Sequence, residues 1–483
     1  MPFAVRFALL CALLVSAAGA APAVRAQPLS ALLGHMRSVN PDLLHAHIIN
    51  TSTHVLDGAP SVVTTNAQDL RYLQQRCNGS VCVGTYFDGE RVYDVNLNGT
   101  TLPRADGSEP YVRALRVLAM LSFLDPAFDG KIYDRGMASY AGKRLRLLFV
   151  EDRIALPLKV YIDPRTALVR AAQTFNGQTI AFSDYRRVGR FMLPYSVDLN
   201  GAPLERYTNR IVDSQPFAQP HPPRVVATSL HPHVNLDPQS VSPLATCQLA
   251  GTAAACLIDS GNSGMAMSLE LAEDLHLQPV GMLPIAGLGN YATEVVHAGP
   301  LDIGGIRLDS ANYVVLTDIH HLGYDIVVGA DVLAAVPVTL EAARHVISFE
   351  RAAKTDSGVS VPIAFQNFIP VVDVTLGMQP SVLAVDTGDQ SNINLAYEYY
   401  AEHSGLFTVT HSRSVTGVGG QSEELLGEID SVRIGSITAQ NQQIGATRTL
   451  RGTADGHLGA AFLSKFRVVL DYARQVMRLQ PVD

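Results

Sequence analysis

The segment Ala255-Cys256-Leu257-Ile258-Asp259-Ser260-Gly261 decides how this chain is read, because Val382-Leu383-Ala384-Val385-Asp386-Thr387-Gly388 repeats it 127 positions later, Asp259 to Asp386. Outward from both copies, Gly287-Leu288-Gly289 recurs as Gly417-Val418-Gly419, and Ile303-Gly304-Gly305-Ile306 as Ile434-Gly435-Ser436-Ile437. Val327-Val328-Gly329-Ala330 recurs as His457-Leu458-Gly459-Ala460, and each copy ends in an alternating stretch, Val336–Phe349 and Phe466–Leu479. One indel of a few residues reconciles the offsets. The second half of the chain is therefore a tandem duplication of a unit of about 130 residues, and such a repeat is read before any single element.

An apolar strand ending in Asp, a hydroxyl and a Gly, once in each of two similar lobes, suits paired-carboxylate chemistry. Two carboxylates about 3 Å apart cannot both ionise, so they share a proton and divide the roles of base and acid. The ionised member takes a proton from a water held between them, and the protonated member donates to the carbonyl under attack. Ser260 and Thr387 can bond across the axis between lobes, while Gly261 and Gly388 let the backbone approach a carboxylate without a Cβ in the way.

These residues resemble the retropepsin-like aspartic peptidases, over about residues 225–483. That signature is an apolar strand, Asp-[Thr/Ser]-Gly, a glycine-containing flap, and two apolar residues with Gly about 70 positions on. Here Asp259 to Gly329 is 70 and Asp386 to Gly459 is 73. The resemblance implies a single-chain pseudo-dimer of two β-barrel lobes, 225–352 and 353–483, with Asp259 and Asp386 as the catalytic pair. It implies that Ser260, Gly261, Thr387 and Gly388 support the active-site loops. Flap tips map to Gly287 and Gly289, and to Gly417 and Gly419; struts map to Val327, Val328 and Gly329, and to Leu458 and Gly459. The implied activity is that of an aspartic endopeptidase acting on a peptide or protein substrate, with no metal, organic cofactor or covalent intermediate. Three features depart from the pattern. Asn262 and Asp389 follow the triplets where Ala is common, His457 replaces an apolar strut residue, and Asp318–Tyr324 with His320 and His321 has no counterpart in the second copy. Asp389 is read as a solvated loop residue. No carboxylate or Cys set at suitable spacing completes the pairs His45/His47, His231/His233 or His320/His321 as a metal site, so no metal is expected.

Upstream, residues 27–213 open with a helical stretch, Leu29 to Met36, and hold a second helix over Glu109 to Leu124 with Tyr111, Leu115, Leu118 and Leu121 on one face. Strand-like runs follow at Leu145–Val150, Leu156–Ile162, Leu168–Thr174, Thr179–Asp184 and Phe191–Leu199, broken by Asp163-Pro164 and Asn176-Gly177. Through Val160-Tyr-Ile-Asp-Pro-Arg165, Phe182-Ser-Asp-Tyr-Arg186 and Phe191-Met-Leu-Pro194 this stretch resembles the lipoprotein-carrier fold of bacterial envelope proteins. That implies an antiparallel half-barrel around a helix, whose concave face can hold a lipid or lipoprotein; a scaffold domain without a small ligand is the other reading. Residues 214–224, with Pro216, Pro220, Pro222 and Pro223, read as an extended linker.

Composition sets the boundaries. A chain of 483 residues, 47% apolar and 17% charged, is no disordered polymer. A net charge of −8 argues against a broad nucleic-acid footprint, which is basic. Scattered Gly and Pro with 7% aromatics point to a mainly β chain. Residues 1–26 read as a signal peptide: Arg6, an uncharged run Phe7–Ala21, then Val24-Arg25-Ala26. An uncleaved anchor is the alternative. The expected mature protein is an exported monomer of the periplasm or extracellular space. Cys11 falls within that segment, leaving Cys77, Cys82, Cys247 and Cys256. An even count in an exported protein reads as disulfides. Of three connectivities the local one is expected, because each pair brackets a hairpin signal; free buried thiols are the alternative. The competing function is a catalytically inactive envelope binding or scaffold protein.

Overall fold

Alternating residues from His47 to Asp213 pair in chain order, and Ala202–Asp213 returns to lie against His47–Leu56, joining two meanders into one antiparallel sheet of 13 strands. The structure, a computed structural model, describes residues 27–56, 59–286, 290–349, 358–448, 450 and 454–482. The predicted signal segment and the first flap tip, Gly287 and Gly289, lie outside the described residues. The chain is mainly β, with 54% strand against 12% helix.

The 13-stranded sheet curls into a half-barrel around α1 (Leu29–Val39) and α2 (Glu109–Ala119). Leu32 and Met36 of α1 and Ala114, Val117 and Leu118 of α2 pack onto Leu148, Val160, Ile162 and Val169 of the concave face. Each apolar side chain buried this way contributes about 1.5–3 kcal/mol. The second helix is shorter than its periodicity predicts. Leu121 takes a left-handed φ of 51°, and the chain resumes as a single 3-10 turn, Ser122–Leu124.

The duplication reappears strand by strand. One lobe orders Thr252–Ile258, Ile326–Val328, Met265–Ser268, Ala311–Leu316, Asn290–Ala298 and Pro279–Ala286 side by side. The other repeats that order with Gln379–Val385, Gly456–Leu458, Ile393–Ala396, Ile437–Thr447, Gly420–Ile434 and His411–Gly417. Short helices follow at matching places, Ala330–Leu333 and Ala460–Leu463. The closing strand of the first copy, Val338–Glu341, pairs antiparallel with Phe466–Asp471 of the second, within a six-stranded sheet drawn from both copies. Neither lobe completes that sheet alone.

The half-barrel is fastened to the first lobe rather than tethered. Residues 214–224 form no helix or strand, and within them Phe217 is buried against Leu73, Tyr86 and Val95. The hairpin of Arg71–Asn78 and Val81–Phe87 is bridged by Cys77–Cys82, a directly opposed cross-strand pair. At its tip Ser80 donates from its backbone N–H and its Oγ to the Val280 carbonyl, at 3.2 and 2.9 Å. Val81 packs with Val295, Val314 and Val327. Further along, Asn96 Nδ2, Asn98 Nδ2 and Thr100 Oγ1 donate to the carboxylate of Asp331 at 2.8, 2.6 and 2.5 Å. Asp331 is 1% exposed. The second disulfide, Cys247–Cys256, ties the hairpin that leads into Asp259. No helix among the described residues is long and apolar enough to cross a membrane.

Candidate active site

Each aspartate stands at the end of a buried strand whose neighbour is the strut of its own lobe. Thr252–Ile258 runs parallel to Ile326–Val328, and Gln379–Val385 parallel to Gly456–Leu458. The strut carbonyls hold the backbone of both aspartates: Asp259 N–H donates to Val328 O at 2.9 Å and Asp386 N–H to Leu458 O at 3.1 Å. Beyond each strut glycine a short helix begins, and Ala330 N–H and Ala460 N–H donate to Asn262 O and Asp389 O at 3.0 and 2.7 Å. A Cβ on Gly329 or Gly459 would run into those loop carbonyls. That close approach is why both struts end in glycine.

The two loops grip each other reciprocally. Ser260 N–H donates to Thr387 Oγ1 at 3.0 Å and Thr387 N–H to Ser260 Oγ at 3.1 Å. Ser260 Oγ donates to Val385 O at 2.6 Å, and Thr387 Oγ1 to Ile258 O at 2.8 Å. Both hydroxyls are buried, so each of these bonds replaces a desolvated group that would otherwise lack a partner. The clasp sets the carboxylates of Asp259 and Asp386 side by side, where one backbone N–H, that of Gly388, reaches an oxygen of each. Gly261 N–H donates to Asp259 Oδ1 at 2.7 Å, and Gly388 N–H to Asp386 Oδ1 at 2.9 Å and Asp259 Oδ1 at 3.2 Å. A methyl on Gly388 would sit 2.6 Å from Asp259 Cγ, and one on Gly261 would strike Asp386.

The dyad is electrostatically unequal. Burial and the neighbouring charge of Asp386 push the Asp259 carboxyl well above the usual carboxylate range. Burial acts on Asp386 in the same sense, but the hydrogen bond and positive charge of His457 outweigh it and hold that carboxyl below the usual range. His457 Nδ1 lies 3.1 Å from Asp386 Oδ2 and 3.2 Å from Asp389 Oδ2. Burial lowers the imidazole's affinity for its proton, yet the two carboxylates raise it to about 10. Tyr324 and Tyr472 are close enough that both carboxylates, together with burial, drive their hydroxyls upward.

One sequence reading is corrected here. Asp389 is not a solvated loop residue: its side chain is 17% exposed, paired with His457, and accepts from Ser391 N–H at 2.8 Å. His457, which departs from the apolar strut pattern, keeps its backbone in register opposite Ala384 while its side chain turns to Asp386. At the matching place in the other lobe Val327 joins an apolar cluster with Ala266, Val295 and Leu316.

The flap strands also fall where the repeat puts them. Pro279–Ala286 and Asn290–Ala298 pair as far as Ala286 opposite Asn290, around the undescribed first tip. His411–Gly417 and Gly420–Ile434 pair as far as Gly417 opposite Gly420, with Gly419 at a φ of 87° in the turn. The residue missed from sequence is Asp331. Its signal was present, because the second copy has an apolar Ala461 at the matching position, 130 residues on.

Among the described residues, Asp386, Asp389 and His457 are the one group of three or more His, Cys, Asp and Glu side chains whose atoms converge within 4.8 Å. The imidazole is already bonded to both carboxylates and backbone N–H groups fill their other oxygens, so the cluster is read as an ion-pair network. His45 and His320 pair with Asp69 and Asp325, each at 2.9 Å. A scan against protein-family models finds no match, and neither does a search of curated proteins.

Proposed function

We propose that this chain is an exported aspartic endopeptidase of retropepsin-like type, built as a pseudo-dimer, in which Asp259 and Asp386 activate a water to hydrolyse a peptide bond. The observation that carries the reading is the reciprocal clasp of Ser260 and Thr387, beside which the Gly388 N–H donates to a carboxylate oxygen from each repeat. One ionised and one protonated carboxylate supply the base and the acid that the reaction needs. Two disulfides suit an oxidising compartment outside the cytosol.

The test compares wild type with Asp259→Asn and Asp386→Asn on a peptide library from acidic to neutral pH. Each substitution is expected to lower kcat/KM by on the order of a thousandfold. Cleavage that survives either one refutes the assignment. The rival reading, a non-catalytic envelope protein carrying a lipid or lipoprotein in its half-barrel, has less support, because α1 and α2 already cover the concave apolar face.

A further inference from the structure

Two copies of one unit would make a symmetric dyad unless something outside the triplets distinguishes them. Here two positions do. Asp389 and His457 of the second copy match Asn262 and Val327 of the first, so only Asp386 has a cation and a further carboxylate built beside it. The imidazole is fixed by its strand, which is hydrogen-bonded on both sides, opposite Ala384 and Asn394. Asp389 is fixed by Ser391 N–H and by the start of the helix Ala460–Leu463. An imidazole held by its strand therefore lies against one carboxylate and not the other.

We infer that His457 is a positioning residue which, braced by Asp389, holds Asp386 as the ionised member of the resting dyad, so that in the attack of water Asp386 is the base and Asp259 the acid. This rests on the reading of the site as a peptide-hydrolysing dyad. Asp386 takes a proton from the water as its oxygen bonds to the scissile carbonyl carbon, and Asp259 gives its proton to the carbonyl oxygen, producing a gem-diol. On collapse, a diol hydroxyl returns a proton to Asp259, Asp386 passes its proton to the departing nitrogen, and the C–N bond breaks. Both carboxyls end as they began. The groups facing His457 are Asp386 and Asp389; behind them Asp259, Tyr324 and Tyr472 sense the same charges.

The experiment uses the full chain and two readouts. In the first, pH profiles of kcat/KM on a cleaved library peptide are compared for wild type, His457→Val, His457→Gln and Asp389→Asn. The acid limb of His457→Val and of His457→Gln is expected to move up by about one unit or more, a roughly tenfold loss of activity below it, with KM little changed, whereas Asp389→Asn removes a negative charge and keeps the imidazole, so it is expected not to move that limb up. Asp389→Asn, equal in size to the native residue, guards against misfolding of the histidine variants. In the second, the His457 imidazole is titrated by NMR without substrate. It is expected to stay charged beyond roughly pH 8 and to titrate closer to an ordinary histidine in Asp386→Asn and Asp389→Asn. An acid limb common to wild type and both histidine variants overturns the inference, as does a wild-type imidazole that titrates near pH 6.5. A wild type that cleaves no peptide defeats the functional reading itself, whereas an active wild type with an unmoved limb defeats only the role of His457.

Discussion

At the scale of single residues, the network of Asp386, Asp389 and His457 ties stability to pH as well as chemistry. The imidazole binds its proton more tightly when folded, so its contribution is full below its unfolded value of 6.5 and is lost as pH rises through about 10. Asp386 acts oppositely: its lowered folded value gives stability present above 3.8 and lost as pH falls through the lower folded value. Asp259, raised when folded, contributes fully below 3.8 and loses that contribution as pH rises from 3.8 towards its folded value. Wild type should therefore exceed His457→Gln in melting temperature most clearly at mildly acidic pH, by about 2–6 °C, with the gap closing towards pH 10. Thermal melts across that range check it, and a gap constant with pH would contradict it. The two aspartates were legible because a strand, a carboxylate, a hydroxyl and a glycine recur together. The pairing of Asp389 with His457 was not, because nothing local joins a loop residue to a strand residue 68 positions away.

At the scale of elements, the two flap hairpins have unequal freedom. The first, Pro279–Ala286 with Asn290–Ala298, is met at Val280 and Gly281 by the disulfide-bridged hairpin of the half-barrel. Gly281→Ala would push its methyl into the Asn78 carbonyl and lift that hairpin away. The two Ser80 bonds to Val280 are each worth about 0.5–1.5 kcal/mol, so amides of the first flap should exchange roughly tenfold faster. Hydrogen exchange should leave His411–Gly417 and Gly420–Ile434 unchanged; equal acceleration in both flaps would refute a local clamp. Alternation and turn dipeptides made five of the half-barrel's 13 strands readable, Phe191–Leu199 in full. The helix from Glu109 was overextended because its apolar spacing continues past Leu121, where the backbone reverses hand. Docking of one hairpin on another is written in neither hairpin's own pattern.

At the scale of the molecule, three donors from the half-barrel converge on one buried carboxylate in the first lobe. Burial raises the Asp331 carboxyl despite its bonds from Thr100, Asn96 and Asn98. Asp331→Ala would strand those donors, at about 1–3 kcal/mol for each left unpaired. Calorimetry should show a lower melting temperature for that variant and, in wild type, half-barrel and lobes melting together. Two separate transitions in wild type would show that the contact couples nothing. The tandem repeat revealed the lobes and their partnership, since duplication is a property of sequence. It set Asp331 against Ala461, but did not show that the half-barrel supplies the three donors to that carboxylate.

That divergence bears on the order of synthesis. A ribosome delivers residues 96–100 long before Asp331, so the first lobe emerges beside a partner already waiting for its buried charge. The second lobe, with Ala461 at the matching place, makes no such demand. Of two descendants from one ancestral unit, one has become a client of the domain translated before it, and the other completes itself on its twin.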